Sequence, residues 1–306
     1  MQMASLQVFI ILNLTLGYTK MHINKTLTTL FSTAAILLTT GCSPVKTLNL
    51  IIPESGYQLT PNIAFGSLPR QKLDIYVPKN LPPDTKPPVV VFFYGGGWES
   101  GDKSDYKFVA EALTSRGFIT VIPDYRVYPD VLFPGLMADP AQAARWVKDY
   151  IAGVGGDPQR IFLAGHSAGA HIAAMLTLDD EYLSTVKLKP ADFRGMIGLA
   201  GPYDFLPLKS DRLKTIFGPE DQRAKSQPIN FVTGHNPPML LMVGKIDGTV
   251  WPRNTYNLAA KIREDGGPVE VVEFENYGHI DMVAKLAKPL RNDEMLGSIT
   301  NFIKQH

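Results

Sequence analysis

A chain of 306 residues, 45% of them hydrophobic and 19% charged, is long enough to bury one large core and too evenly composed to be fibrous or low in complexity. Its formal net charge of +1 comes without a basic block, which removes the electrostatic basis for binding nucleic acid. The only cysteine, Cys42, cannot form an internal disulfide, so the fold must be stabilised by its core.

The first predicted element is a targeting segment. Lys25 supplies a basic start, residues 27–40 are apolar or threonine without charge, and Thr39, Thr40 and Gly41 are small residues leading to Cys42. That length suits the core of an export signal better than a membrane-spanning helix. The chain therefore divides into a signal segment over 1–41, with Met21 as a possible start, a tether over 42–55 and an α/β domain over 56–306.

From Tyr57 onward, short β-rich runs alternate with amphipathic segments, the pattern of a parallel sheet with covering helices. Residues 72–77 alternate in polarity and read as an edge or half-exposed strand. Residues 89–94 are continuously apolar between Pro88 and Gly95, which predicts a buried central strand. Phe108, Ala112 and Leu113 share a helical face before Gly117, and residues 118–123 form the next buried strand. A helix is expected over 139–154, ended by Gly155 and Gly156, and then a strand over 160–164. A helix over 170–178, a strand over 196–200 and an irregular stretch over 201–238 follow. Strands over 239–243 and 269–274, with helices over 253–263 and 293–304, complete a single, mostly parallel sheet of about eight strands with helices on both faces.

Gly165-His166-Ser167-Ala168-Gly169 lies where the 160–164 strand passes into a helix. G-x-S-x-G in that setting is a nucleophile elbow: a tight turn lifts the serine above the sheet, and a β-carbon at either glycine would collide with neighbouring elements. A serine hydroxyl needs a base, and the base needs an orienting group. His279 follows the last strand at its carboxyl end and is the expected base. Asp247 is the first carboxylate after the 239–243 strand and is the expected acid, with Asp204 and Asp281 as rivals. His166 is expected to point away from the serine, His171 to pack or bond beneath the site, and His235 to be structural. Gly96 and Gly97, after the central strand, and Ala168, after the serine, are the expected oxyanion donors. Trp98, Phe205, Leu206, Phe217 and Trp251 could line a substrate pocket. No His, Cys or carboxylate cluster has metal-ligand spacing, so neither metal nor organic cofactor is expected.

The region from about residue 70 onward resembles the α/β-hydrolase superfamily. The likeness is to its esterase branch related to hormone-sensitive lipases and arylformamidases, and within it to the isoprenylcysteine methylesterase group. The matching residues are Leu73-Asp74-Ile75-Tyr76, Gly95-Gly96-Gly97-Trp98, Asp124-Tyr125-Arg126, Gly155-Gly156-Asp157-Pro158, Gly165 to His171, and Gly278-His279-Ile280-Asp281. The resemblance implies a serine hydrolase of carboxylic esters with Ser167, Asp247 and His279 as its triad, acting on small or short-chain esters. Tyr94 stands where that family usually has the histidine opening H-G-G-G, so the oxyanion turn should be supported differently. Amide or formamide hydrolysis on the same triad, and a catalytically silent surface-anchored binding module, remain the alternatives. The amino-terminal segment resembles a bacterial lipoprotein signal, which implies lipidation at Cys42, a membrane anchor and a location in the cell envelope. An ordinary cleaved signal is the alternative. The sequence leaves the oligomeric state open.

Overall fold

The computed structural model describes Leu48, Asn49 and residues 51–306. The expected signal, Cys42 and the tether up to residue 47 lie outside the described residues. Eight strands form one sheet: β1 (Tyr57–Ala64), β2 (Lys72–Pro78), β3 (Val89–Phe93), β4 (Ile119–Pro123), β5 (Ile161–His166), β6 (Gly195–Leu199), β7 (Met239–Gly244) and β8 (Val269–Phe274). Their order is β1-β2-β4-β3-β5-β6-β7-β8, and only the β1–β2 and β2–β4 pairings are antiparallel.

The apolar runs became the central strands because both faces of a parallel sheet are covered. Every residue of β3, β4, β5, β6 and β7 is buried. The helices are α1 (Lys107–Thr114), α2 (Ala138–Tyr150), α3 (Ala168–Leu178), α4 (Asp180–Ser184), α5 (Asp211–Phe217), α6 (Arg253–Glu264), α7 (Asp281–Ala284) and α8 (Asp293–Gln305). All eleven residues of α3 are buried, so this helix is apolar all round rather than amphipathic. Burying a large apolar side chain such as Ile172 or Met175 contributes about 1.5–3 kcal/mol.

Three expectations are corrected. Residues 72–77 belong to β2, which is mostly buried between β1 and β4 and is not an edge. The polar Asp74 that suggested exposure is buried and paired with Lys103. The edge on this side of the sheet is β1, whose mostly exposed side chains include Thr60, Pro61 and Asn62 and carry little strand signature. The stretch over 201–238 holds α5, which buries Ile216 and Phe217, along with short 3-10 turns. The compact unit begins at Leu48, ahead of the expected residue 56. Asn49 bonds the carbonyl of Ser104 and the N–H of Phe108, and Ile52 is buried.

The connections position the site. From β3 the chain passes through α1 to β4 on one side, then through α2 to β5 on the other. This reversal opens a crevice at the carboxyl ends of β3 and β5. Phe93 pairs with Gly165, so the turns after the two strands lie side by side.

Candidate active site

Ser167 sits between β5 and α3 with φ 56° and ψ −124°, a left-handed conformation that side chains other than glycine rarely adopt. The turn requires close backbone approach on both sides. A β-carbon on Gly165 would lie 2.3 Å from the carbonyl carbon of Gly169, and one on Gly169 would lie 2.0 Å from the carbonyl oxygen of Phe93. Any side chain at either position would push the serine off its perch. The Ser167 N–H donates to Leu199 at 2.9 Å, continuing the β5–β6 ladder into the turn.

The Ser167 Oγ lies 2.8 Å from His279 Nε2, and His279 Nδ1 lies 2.8 Å from Asp247 Oδ2. A carboxylate can only accept, so the imidazole carries its hydrogen on Nδ1 and Nε2 is free to accept from the serine. The second Asp247 oxygen accepts the N–H groups of Thr249 at 2.8 Å and Val250 at 2.9 Å. Asp247 is buried, and these bonds replace the water it has lost. The rival carboxylates face elsewhere: Asp281 accepts the N–H of Gly278, and Asp204 accepts from the Asn257 amide.

Three histidines outside this chain of bonds are placed differently. His166, expected to point away from the serine, has its ring centre 4.8 Å from that of His279. Its Nε2–H donates to the His279 backbone carbonyl at 3.0 Å, so it holds the backbone of the catalytic candidate. Burial, reinforced by the electrostatic influence of the neighbouring His279, lowers its pKa to about 3, which keeps it neutral beside the site. The sequence carried no signal for this contact, because the two residues are 113 positions apart. His171 is buried beneath the turn; its Nδ1 accepts from Trp98 Nε1 at 3.3 Å and its Nε2–H donates to Ser226 at 2.8 Å. Burial lowers its pKa to about 4. His235 is exposed on a loop.

The Gly95–Trp98 turn runs beside the elbow. Gly96 and Gly97 have φ of 139° and 63°, and Trp98 follows at 61°. A β-carbon on Gly96 would meet the Ser100 carbonyl oxygen at 2.1 Å. The Gly96 carbonyl instead accepts from Glu99 and Ser100, which turns the peptide and leaves the Gly96 and Gly97 N–H groups outside any backbone ladder. Ala168 opens α3, where the first N–H groups have no intrahelical acceptor.

Tyr94 supplies the different support that its identity implied. Its ring is fully buried and stacks on Tyr125 at 4.5 Å. Its hydroxyl donates to Asp124 at 2.9 Å and accepts from Arg70 at 2.8 Å. Asp124 also accepts the Lys103 N–H, and the Lys103 ammonium lies 3.1 Å from Asp74. Burial pushes the Asp124 carboxyl up, opposed by these donors. Gly101 completes the arrangement, since a β-carbon there would lie 2.6 Å from the Tyr94 ring.

The pocket candidates separate. Trp98 is only 5% exposed and belongs to a core cluster with Leu136, Ala168, Leu208, Ile216 and Phe217, so it is core rather than an open wall. Phe217 is equally buried. Phe205 and Leu206 are partly buried and pack on that cluster, with Phe205 stacked 5.7 Å from Trp98. Trp251 is 51% exposed, on the loop whose Thr249 and Val250 N–H groups bond the buried Asp247 carboxylate.

An elbow serine at the crevice of a mostly parallel eight-stranded sheet, with a carboxylate after β7 and a histidine after β8, defines an α/β-hydrolase. Within that class the chain belongs to the BD-FAE family, whose model matches residues 73–262. It is 30% identical over 272 residues to the isoprenylcysteine alpha-carbonyl methylesterase ICME of Arabidopsis thaliana, a match covering 80% of this chain. It is 27% identical over 263 residues to esterase LipQ of Mycobacterium tuberculosis, again over 80% of this chain. The chain spans 62% of the length of each of these two relatives. The apo structure of Thermogutta terrifontis esterase 2 superposes with a TM-score of 0.68 at 26% identity, covering 83% of this chain and 96% of that one. Other structures of that esterase hold butyrate or are phosphonylated by sarin.

Proposed function

We propose that the protein hydrolyses carboxylic esters through an acyl-enzyme, with Ser167 as nucleophile, His279 as base and Asp247 as its orienting acid. The observation that carries the reading is the unbroken series Ser167 Oγ, His279 and Asp247, each link 2.8 Å long. His279 takes the serine proton at Nε2 as Oγ attacks the carbonyl carbon, and Asp247 stabilises the imidazolium that forms. The N–H groups of Gly96, Gly97 and Ala168 receive the negative charge that develops on the carbonyl oxygen. His279 then returns the proton to the departing alcohol, and water releases the acyl group by the same steps in reverse roles.

Small acyl groups fit this site best. The apolar cluster beside Ala168 is filled by Trp98, Leu136 and Phe217, which leaves the partly buried Phe205 and Leu206 as acyl contacts. The butyrate held by Thermogutta esterase 2 supports the same reading. A fluorophosphonate probe should label Ser167 and no other serine. Ser167→Ala should abolish labelling and remove at least ~10³-fold of hydrolysis of short-chain 4-nitrophenyl esters with the fold intact. Near-normal turnover by that variant, or faster turnover of aryl formamides than of any ester, would sink the assignment.

The reading extends to location. The uncharged stretch over 27–40 and Gly41-Cys42 support export and lipidation of Cys42, with the domain tethered at a membrane surface of the cell envelope. Cys42→Ser should then release the protein from the membrane fraction, and mass spectrometry should find acyl mass on residue 42 of the parent. Unchanged fractionation together with an unmodified cysteine refutes the anchor.

A further inference from the structure

Two cations share one exposed ring next to the residues assigned above. Trp251 lies four positions after Asp247 and is 51% exposed. The Lys209 ammonium and the Arg253 guanidinium each lie 5.4 Å from the centre of its ring. Among the described residues neither pairs with a carboxylate; Arg253 gives one donor to the Leu206 carbonyl at 3.3 Å. The carboxylates of the surrounding segments are already taken. Asp247 holds His279, Asp204 holds Asn257, Asp211 holds Lys214 and Glu99 holds Arg212. The face of an indole attracts a cation, but two positive charges gathered on one ring repel each other, and an anion between them removes that repulsion.

The cluster is assembled before any substrate arrives. Lys209 comes from the segment after β6, and Trp251 and Arg253 come from the segment after β7. The Arg253–Leu206 bond joins the two segments. So does the Asn254 side chain, which accepts the N–H groups of Tyr203 at 3.0 Å and Asp204 at 2.9 Å.

Chemistry decides which half of the ester meets this rim. The apolar cluster that contains Ala168 adjoins the nucleophile and suits an acyl chain. The leaving oxygen must collect its proton from His279 Nε2, so the alcohol half lies on the His279 side of the serine, and Trp251 stands on the loop that carries Asp247, the partner of that histidine. We propose that Lys209, Trp251 and Arg253 form a subsite for a carboxylate carried on the alcohol half of the ester. This rests on the Ser167–His279–Asp247 reading and deepens it by naming the substrate class: acyl esters of hydroxy acids.

A matched pair of esters tests it: 3-acetoxybenzoate and its neutral analogue 3-acetoxybenzamide, compared by kcat/KM with the full-length protein. The acid should be preferred about tenfold at low salt, mainly through KM, and the preference should shrink as salt rises from about 20 to 500 mM. In the K209Q/R253Q double variant the ratio of the two kcat/KM values should fall to near one, whereas K209R should keep it. Equal rates on the two esters in the wild type, or a preference that survives the double variant, would overturn the subsite while leaving ester hydrolysis standing. Failure to hydrolyse either ester, with Ser167 unlabelled by the fluorophosphonate, would overturn the triad reading and the subsite together.

Discussion

The two sides of the crevice are built on opposite principles. Beneath the Gly95–Trp98 turn, the polar groups of Tyr94, Arg70, Asp124, Lys103 and Asp74 are mostly buried and partnered by protein. Across the crevice, Lys209, Trp251 and Arg253 stand in solvent with no carboxylate partner among the described residues. A buried network has few alternative arrangements, because each lost partner strands a charge in a poor dielectric. That rigidity suits backbone donors which must be aimed before charge develops. An exposed rim can meet substrates at little cost to stability, so selectivity can reside there without disturbing the chemistry.

The largest effect should come from breaking the buried side. Lys103→Met leaves Asp74 and Asp124 without their shared cation and should cost about 3 kcal/mol of unfolding free energy, read as a lower urea midpoint. Activity of the fraction that stays folded should also fall, since Asp124 bonds Tyr94, the residue that leads into the turn whose N–H groups the proposed mechanism uses. A variant as stable as the parent would show that the network is better solvated than its burial implies.

Acid should sharpen the same contrast with a smaller effect. The pKa of His171 is about 4 in the folded state and near 6.5 when unfolded, so the unfolded chain takes up the proton first. Its contribution to stability is therefore complete above about pH 6.5 and is lost as pH falls towards 4, amounting to about 2 kcal/mol by pH 5. Urea titrations at pH 7.5 and 5 should show that loss, and His171→Gln should remove about that much of the pH dependence. An identical dependence in the variant would contradict a buried neutral imidazole.

The smallest effect belongs to the rim. Trp251→Ala should change unfolding free energy by no more than about 0.5 kcal/mol, because half of the side chain is already in water. Any larger loss in thermal melting would mean that the indole is structural.

Legibility in the sequence followed the range of the interactions. The central strands were readable because burial on both faces demands unbroken apolar runs such as Val89–Phe93. The elbow was readable because two glycines within five residues answer two backbone collisions, at the Gly169 carbonyl and at the Phe93 oxygen. The edge strand β1 is not legible, since a mostly exposed strand with proline and asparagine has no periodic signature. Trp98 and Trp251 looked equivalent as pocket candidates. One is buried against Phe217 and His171, and the other is in solvent between two cations.

By itself the sequence determined the class of fold, the alternation of strands and helices and the chain order of serine, aspartate and histidine. Those follow from local periodicity, from glycine's freedom and from the strand ends to which polar residues are assigned. Only the tertiary structure decided that His166 holds the backbone of His279 across 113 residues, that Tyr94 hangs from Asp124, and that Lys209 meets Arg253 over one indole. Each is a contact between segments brought together by sheet order, and no local propensity records which distant side chain will lie across the gap.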